Sequence, residues 1–292
     1  MKTAAIIGAN SMLGSRLEAI LKSDGIRVIR VGLFDGADIK LDLTRGFLSP
    51  LPSDLTADTV FHVASAFADD SPQGLRTNFS INSAGSLWAL DLARMTQAKS
   101  LIYAGSLSSF EGLEPGKMTS YGLTKALAEN LLDWGMKNLQ ASFCSLRYSQ
   151  LYDTEGLCCQ HQKWFGRIIG YASRGLDIHM PASEGKRNFI HVDDAARLLI
   201  QASEHVISGI LPVVHPITNT YDEIAHMAYA IFNKGGQIII DTKKPPFRPI
   251  NFPETGETYK LLHYVPVISM ESGITRIRDE GTALKFGPLD VS

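Results

Sequence analysis

The sequence has little of what marks membrane, nucleic-acid-binding or secreted proteins. No apolar run approaches the roughly 20 residues that cross a bilayer, and the first residues lack the apolar core and cleavage site of a signal peptide. The formal net charge of −2 gives no basic excess for nucleic acid or an anionic membrane. Three cysteines, an odd number without metal-ligand spacing, predict reduced thiols and no metal site. We therefore expect a cytoplasmic protein that binds neither nucleic acid nor a membrane.

What the chain does contain is an ordinary globular composition, with 45% hydrophobic and 20% charged residues. Its 292 residues suffice for one large domain or two small ones. Apolar runs alternate with helical stripes, and strands are predicted at residues 4–7, 27–31, 38–44, 59–66, 100–104 and 139–147. This alternation predicts an α/β fold with a doubly wound parallel sheet, whose ligands bind beyond the carboxyl ends of the strands.

A glycine-containing turn at residues 8–14 joins the first strand to a predicted helix. A strand, a glycine turn and a helix start leave backbone N–H groups free to bind an anion, and the helix dipole favours a pyrophosphate there. Ser11 stands where the middle glycine of a GxxGxxG loop would be. Its side chain would narrow the approach of a phosphate oxygen but add a hydroxyl donor. An ordinary strand-to-helix turn remains the alternative.

The end of the second predicted strand does not select between the two nicotinamide dinucleotides. In dinucleotide folds an acid there binds the ribose hydroxyls, and a basic residue accepts a 2′-phosphate. This chain has Gly32 and Leu33 at those points, with Arg30 just before and Asp35 two residues on.

Tyr121 and Lys125 are four residues apart, so a helix would project the phenol and the ammonium from the same side. A nearby cation favours the phenolate, and a tyrosine that acts as a base near neutral pH must lose roughly 3 units of its ordinary pKa. One lysine supplies part of that stabilisation, and a cationic cofactor ring would help. The alternative is an exposed surface pair.

The same helix predicts two contact faces. By the 3.6-residue period, one face carries Leu123, Leu127, Leu131 and Trp134, and the opposite face carries Tyr121, Lys125, Ala128 and Leu132. We expect this helix to lie between its own domain and a second surface, as in a homodimer.

Small residues end two of the predicted central strands, where a flat ligand could lie against the backbone. They are Ala64, Ser65 and Ala66 after the fourth strand, and Gly105 and Ser106 after the fifth. His62 is interpreted as a strand histidine rather than a catalyst. With Gly8, these residues converge on one cleft at the carboxyl edge of the sheet.

The sequence changes in character beyond Tyr152. Helices are predicted at 164–173, 192–203 and 221–232, strands at 186–191 and 237–241, and a proline-rich loop of undetermined role at 243–255. We predict a dinucleotide-binding domain of residues 1–153 and 186–209, and a smaller α+β substrate-binding lobe of residues 154–185 and 210–292.

Several of these segments together resemble one known family. They are residues 8–14, Asp42-Leu43, 62–66, 82–86 and 103–106, the YxxxK element of Tyr121 and Lys125 with Glu129, and residues 147–152, 187–194 and 261–273. The chain is similar to an extended short-chain dehydrogenase/reductase of the NAD-dependent epimerase/dehydratase group, a Rossmann fold. It departs from the family pattern at Ser11 and at Tyr148, where the family has proline.

The resemblance implies a set of site residues. The catalytic residues would be Ser106, Tyr121 and Lys125, with Ser108 as the alternative serine. Arg187 would bind the diphosphate of a nucleotide sugar, unless it forms a structural ion pair with Asp193 or Asp194. The cofactor, NAD or NADP with a lean to NAD on family grounds, would contact Tyr121 and Lys125 together with Gly8, Asn10, Ser11, Met12, Leu13, Gly14, Asp42, Leu43, Ala64, Ser65 and Ala66.

The expected function is hydride transfer at a hydroxyl or keto carbon of a nucleoside-diphosphate sugar, as in an epimerase or a 4-keto-sugar reductase. The 4,6-dehydratases of the group carry Asp-Glu after the catalytic hydroxyl residue, where this chain has Leu107 and Ser108, so that activity is not expected. One alternative is a reductase of a small ketone or aldehyde without a diphosphate. The other is a non-catalytic protein that senses the dinucleotide.

Overall fold

The computed structural model describes residues 1–289 of the chain. Its strands are β1 (Thr3–Ile7), β2 (Arg27–Gly32), β3 (Ile39–Asp42), β4 (Gly46–Phe47), β5 (Thr59–His62), β6 (Ser100–Ser106), β7 (Ser142–Tyr148), β8 (Gln150–Tyr152), β9 (Ile178–Met180), β10 (Phe189–His191), β11 (Gly209–Val213) and β12 (Ile238–Ile240). Its α-helices are α1 (Met12–Ser23), α2 (Pro72–Asn78), α3 (Leu87–Met95), α4 (Ser120–Asn138), α5 (Lys163–Ala172), α6 (Val192–Glu204), α7 (Tyr221–Phe232), α8 (Gly256–Leu262) and α9 (Met270–Asp279). Within the described residues, no helix combines the length and the apolar character needed to span a membrane.

Eight strands form one sheet in the order β11-β7-β6-β5-β1-β2-β3-β4. All neighbours run parallel except the short strand β4, which pairs antiparallel with β3. The chain runs outward from β1 to β4 and returns to place β5 on the other side of β1, so the strand order reverses between β1 and β5. The predicted doubly wound α/β fold is confirmed, and this reversal is where such folds bind ligands.

The core of this sheet follows from its apolar strands. Ala5, Ile7, Val60 and Leu101 are at most 1% exposed and pack in one cluster with side chains of α3 and α4. Strands buried on both faces read as continuous apolar runs, which is why β1 and β5 were predictable from sequence. Leu132, on the buried face of α4, is 0% exposed in the same cluster.

The sequence of residues 78–95 predicts one continuous helix, and this prediction is wrong. Helix α2 begins earlier, at Pro72, and ends at Asn78; a π-helical turn (Phe79–Ser83) and a short 3₁₀ segment (Ala84–Ser86) then precede α3. The N–H of Ala84 donates to the carbonyl of Phe79, five residues back, which widens the helix at this point.

The chain divides into two compact units. The first consists of Met1–Tyr148, Ala195–Val213 and Pro253–Tyr264, and holds the whole eight-stranded sheet. The second consists of Ser149–Asp194, Val214–Phe252 and the chain from Val265 on. Residues 149–153, 186–194, 210–213 and 253–264 therefore group differently from the predicted division. The reasons are that β10 pairs with β8, that β11 pairs with β7, and that α8 packs on β11.

The second unit contains two small parallel pairs, β8 with β10 and β9 with β12. The proline-rich loop is anchored there, because the N–H of Phe247 donates to the carbonyl of Ala182 at 2.9 Å. The Phe247 ring packs 4.6 Å from the ring of Tyr221 and 5.1 Å from that of Trp164.

Candidate active site

The glycine turn brings β1 close to the end of β5. Gly8 has a φ of +89°, and a β-carbon there would lie 2.8 Å from the β-carbon of Ala64, so the approach requires glycine. Ser11 begins α1 as its N-cap, and its hydroxyl oxygen accepts the N–H of Gly14 at 3.0 Å. The position thus has ordinary N-cap geometry and needs no glycine.

This turn fits the diphosphate of a dinucleotide. Within the described residues, the N–H groups of Met12 and Leu13 have no hydrogen-bond partner, as is usual in the first turn of a helix. The positive end of the α1 helix dipole also favours an anion at this position. The Ser11 hydroxyl, whose oxygen accepts the N–H of Gly14, still has a proton that it could donate to an anion.

The loop after β6 lies against the start of α4 because Gly122 has no side chain. A β-carbon on Gly122 would lie 2.0 Å from the carbonyl oxygen of Ser108. The hydroxyl of Ser109 donates to the carbonyl of Gly122 at 3.0 Å, and the N–H of Ser108 donates to the hydroxyl oxygen of Ser106 at 3.2 Å. These contacts hold Ser106 beside Tyr121.

The structure therefore brings Ser106 and Tyr121 together. Burial raises the pKa of the Tyr121 phenol, whereas its hydrogen bonds with the hydroxyls of Ser65 and Ser106 lower it. Ser106, and not Ser108, is the serine of this loop that contacts the phenol. The Tyr121 ring also packs edge-on against Phe67, with 4.5 Å between ring centres.

Lys125 follows Tyr121 by one turn of α4 and is 1% exposed. Its Nζ donates to the carbonyl of Ala104 at 2.6 Å and lies 4.0 Å from the centre of the Tyr103 ring. Burial lowers the pKa of the Lys125 ammonium to about 7, and Glu129 acts in the opposite direction. The expected depression of the Tyr121 pKa by Lys125 is not found, because burial dominates and the lowering contributions come from the two serines.

Glu129 is buried one turn beyond Lys125 and holds β7 against α4. It accepts hydrogen bonds from the hydroxyl of Ser145 at 2.7 Å and from Nη2 of Arg147 at 2.6 Å. Nε of Arg147 donates to both carboxylate oxygens, at 3.1 and 3.0 Å. The carboxylate thus places a buried negative charge on the face of α4 that carries Tyr121 and Lys125.

Two asparagines hold the loop after β5 next to Tyr121. Asn82 accepts the N–H of Ala66 and donates to its carbonyl, and Asn78 forms the same pair of bonds with Ala68. Asn78 also donates to the hydroxyl of Ser120 at 2.9 Å. Asn78 and Phe67 were not predicted from the sequence as residues of this site. The four-residue spacing of the two asparagines was the only signal for Asn78, and none pointed to Phe67.

The Asp42 side chain is hydrogen-bonded within a turn. Its carboxylate accepts the hydroxyl and the N–H of Thr44 at 2.7 and 2.8 Å. These bonds lower the pKa of the Asp42 carboxyl. His62 is fully buried, in agreement with its interpretation as a strand histidine; burial, and secondly Lys125, lower the pKa of its imidazole to about 3.

Arg187 lies in the second unit and is 8% exposed. Its guanidinium lies 5.3 Å from the centre of the Tyr221 ring and 5.7 Å from that of Phe247. Nη1 donates to the carbonyls of Lys186 and Arg248, both at 2.9 Å. Within the described residues it forms no ion pair, so the alternative of a pair with Asp193 or Asp194 is wrong. Among the described residues, no hydrogen-bond acceptor is found for its Nε and Nη2 donors.

Comparisons with known proteins identify the family of the chain and proteins of similar fold. A sequence profile described as the NAD dependent epimerase/dehydratase family matches residues 4–213. No curated protein matches the chain in sequence.

Solved structures of similar fold include three sugar-nucleotide epimerases, each 17–19% identical to the chain. UDP-N-acetylglucosamine 4-epimerase from Bacillus cereus has a TM-score of 0.77, and the alignment covers 100% of this chain and 99% of the epimerase chain. UDP-glucose 4-epimerase from Thermotoga maritima, solved with UDP-glucose, has a TM-score of 0.74 with coverages of 97% and 99%. UDP-glucuronic acid 4-epimerase from Bacillus cereus, solved with NAD, has a TM-score of 0.76 with coverages of 95% and 99%. At this identity the likeness establishes the fold alone.

Proposed function

Because the chain belongs to the NAD-dependent epimerase/dehydratase family, we propose that it catalyses hydride transfer at a hydroxyl or keto carbon of a nucleoside-diphosphate sugar, as an epimerase or a 4-keto-sugar reductase. The observation that carries the proposal is the contact of Tyr121 with Ser106, one helical turn from the buried Lys125. A phenol, a hydroxyl and an ammonium in one cleft beside an anion-binding helix start are the groups that such chemistry requires.

Each side chain has a distinct role in this proposal. A bound nicotinamide would accept or supply the hydride. Ser106 donates a hydrogen bond to the substrate oxygen, on which negative charge develops. Tyr121 exchanges a proton with that oxygen; its raised pKa keeps the phenol protonated and ready to act as the acid that reduces a ketone. Lys125 holds the nicotinamide ribose.

The nucleotide-sugar part of the proposal is supported by Arg187. A planar guanidinium with free N–H donors is suited to bind a diphosphate. Its position against two aromatic rings fixes the plane of the guanidinium. Among the proteins of similar fold, those from Thermotoga maritima and Bacillus cereus act on UDP-sugars. The first unit would then bind the dinucleotide and the second the substrate, in the cytoplasm.

The direct test is turnover. The purified protein is incubated with NAD or NADP and a panel of UDP-, ADP- and GDP-sugars, and sugar products and reduced cofactor are followed by NMR and absorbance at 340 nm. We expect conversion of at least one sugar, or transient reduction of the cofactor. Binding of a dinucleotide without turnover across the panel would favour the non-catalytic sensor.

The small-ketone reductase is separated from the main proposal by Arg187→Ala. If the substrate carries a diphosphate, the Michaelis constant for the sugar nucleotide rises at least about tenfold, because a charge-assisted bidentate contact is lost. An unchanged Michaelis constant would favour a substrate without a diphosphate. Lys163→Ala, on a helix of the same unit, serves as the control for an unrelated loss of positive charge.

A homodimer is proposed from the outer face of α4. Leu123, Leu127, Leu131 and Trp134 are 46%, 38%, 36% and 69% exposed, so four large apolar side chains lie in one row. A row of this kind marks an interaction surface more often than an ordinary exterior. Sedimentation of Leu127→Asp/Trp134→Asp should give a monomer at concentrations where the wild type is a dimer, and a monomeric wild type would exclude the proposal.

A further inference from the structure

The end of β2 carries an aromatic ring where dinucleotide folds place an acid or a base. A β-carbon on Gly32 would lie 2.9 Å from Cε1 and 3.0 Å from Cδ1 of Phe34, and 4.0 Å from the backbone nitrogen of Gly8. The absence of a side chain on Gly32 therefore makes room for the Phe34 ring, which lies over the strand end next to the glycine turn. This is the position at which the adenosine ribose of a dinucleotide binds in such folds.

The two basic side chains beside this ring are already engaged. Arg30 donates to the carbonyl of Gly36, and its Nε lies 3.8 Å from Asp38 and 3.9 Å from Glu18. Lys40 donates to the carbonyl of Phe34 and lies 3.8 Å from Asp35. Each basic side chain is thus positioned by a backbone carbonyl and by nearby carboxylates.

The local charge offers no net attraction to an added anion. Arg30, Lys40 and Lys22, which pairs with Glu18 at 2.6 Å, contribute three positive charges, and Glu18, Asp35 and Asp38 contribute three negative charges. The sum of these six side chains, +3 and −3, is zero. A 2′-phosphate would bring further negative charge to this loop, whereas a 2′-hydroxyl would bring none.

We propose that Phe34 makes the site selective for a dinucleotide whose adenosine ribose carries a free 2′-hydroxyl, so that NAD is bound and NADP is excluded. The inference rests on the proposed function, and it identifies the residue that decides the cofactor. The ring covers the ribose side of the strand end with a surface that cannot solvate a phosphate dianion, and a charge that loses water without gaining a partner is strongly destabilised. The selection acts by exclusion and does not use the acid that other dinucleotide folds place here.

The test is the affinity of the protein for the two reduced cofactors, measured by their fluorescence on binding and checked by calorimetry. We expect the wild type to bind NADH at least about tenfold more tightly than NADPH. Phe34→Arg should bring the two affinities together or reverse their order, because it removes the ring and adds a cation. Phe34→Ala should reduce the preference for NADH, because it strengthens the binding of NADPH and has a smaller effect on the binding of NADH.

Arg30→Ala is the matched control, since it removes a neighbouring cation that the structure assigns to Gly36, Asp38 and Glu18. Its ratio of affinities should equal that of the wild type; a selective loss of NADPH binding would show that Arg30 holds the 2′-phosphate and would overturn the inference. Equal binding of NADH and NADPH by the wild type would overturn the inference while leaving the proposed function intact. Binding of neither cofactor would overturn both.

Discussion

The Lys125 ammonium lies 4.0 Å from the centre of the Tyr103 ring, on the strand next to its own helix. A cation over an aromatic face gains about 1 kcal/mol or more when it is removed from water. Burial has the opposite effect, since it lowers the pKa of this lysine to about 7. The Tyr103 face, the Ala104 carbonyl and the Glu129 carboxylate thus stabilise the buried ammonium one helical turn beyond Tyr121.

Replacing Tyr103 with leucine should therefore make Lys125 easier to deprotonate. The loss of about 1 kcal/mol corresponds to a further decrease of roughly 0.7 units in the Lys125 pKa. The lysine pKa is measured by NMR of ¹³C-labelled ε-carbons. Tyr103→Phe keeps the ring and is the control; a pKa that falls equally in both variants would mean that the hydroxyl, rather than the aromatic face, supports Lys125.

Replacing Tyr121 with phenylalanine should abolish turnover and leave cofactor binding nearly unchanged. The substitution removes only the phenol oxygen, which contacts Ser65 and Ser106, while the ring keeps its packing against Phe67. Loss of a general acid or base lowers the rate by about 10² to 10⁴ fold. Full activity of this variant, with unchanged NADH affinity, would remove Tyr121 from the mechanism.

Replacing Glu129 with glutamine should destabilise the protein by about 3 kcal/mol, because it leaves Arg147 without its buried counter-charge. Urea unfolding measures the change, and the double variant Glu129→Gln/Arg147→Gln should recover part of it. Asp133→Asn removes an exposed ion pair with Lys137 on the same helix and should stay within about 0.5 kcal/mol of the wild type. Equal losses in the two single variants would contradict a special role for the buried pair.

His62 should make the protein sensitive to mild acid. Its imidazole pKa is about 3 in the folded protein and about 6.5 when unfolded, so between these values the unfolded state binds the extra proton. Stability is then present above pH 6.5 and decreases as the pH falls toward 3. When the pH is lowered from 7.5 to 5, the titration of His62 should reduce the free energy of unfolding by about 2 kcal/mol.

The measurement is the free energy of unfolding of the wild type and of His62→Gln at those two pH values. The variant should lose about 2 kcal/mol less than the wild type on acidification, since glutamine does not titrate. His226→Gln, at an exposed histidine of α7, should behave as the wild type does. An identical acid sensitivity with and without His62 would contradict the prediction.

Much of the first unit could be predicted because its signals are local. The apolar runs of β1 and β5, the glycine turn and the four-residue spacing of Tyr121 and Lys125 each depend on neighbours in the chain, and periodicity reports them. The short strands β8, β9 and β11 were missed. Strands of three to five residues carry too little pattern, and their pairing partners are distant in sequence.

By itself, then, the sequence determined the alternation of strands and helices, the strand end that carries Ser106 and the helix face that carries Tyr121 and Lys125, because repeating patterns of side chains encode them. Only the tertiary structure decided which groups meet. It buried Lys125 against Tyr103, assigned Arg187 to two aromatic rings instead of an acid, and laid Phe34 over Gly32. Such contacts join residues whose separation in the chain carries no information, and their energies depend on burial, which exists only once the chain has folded.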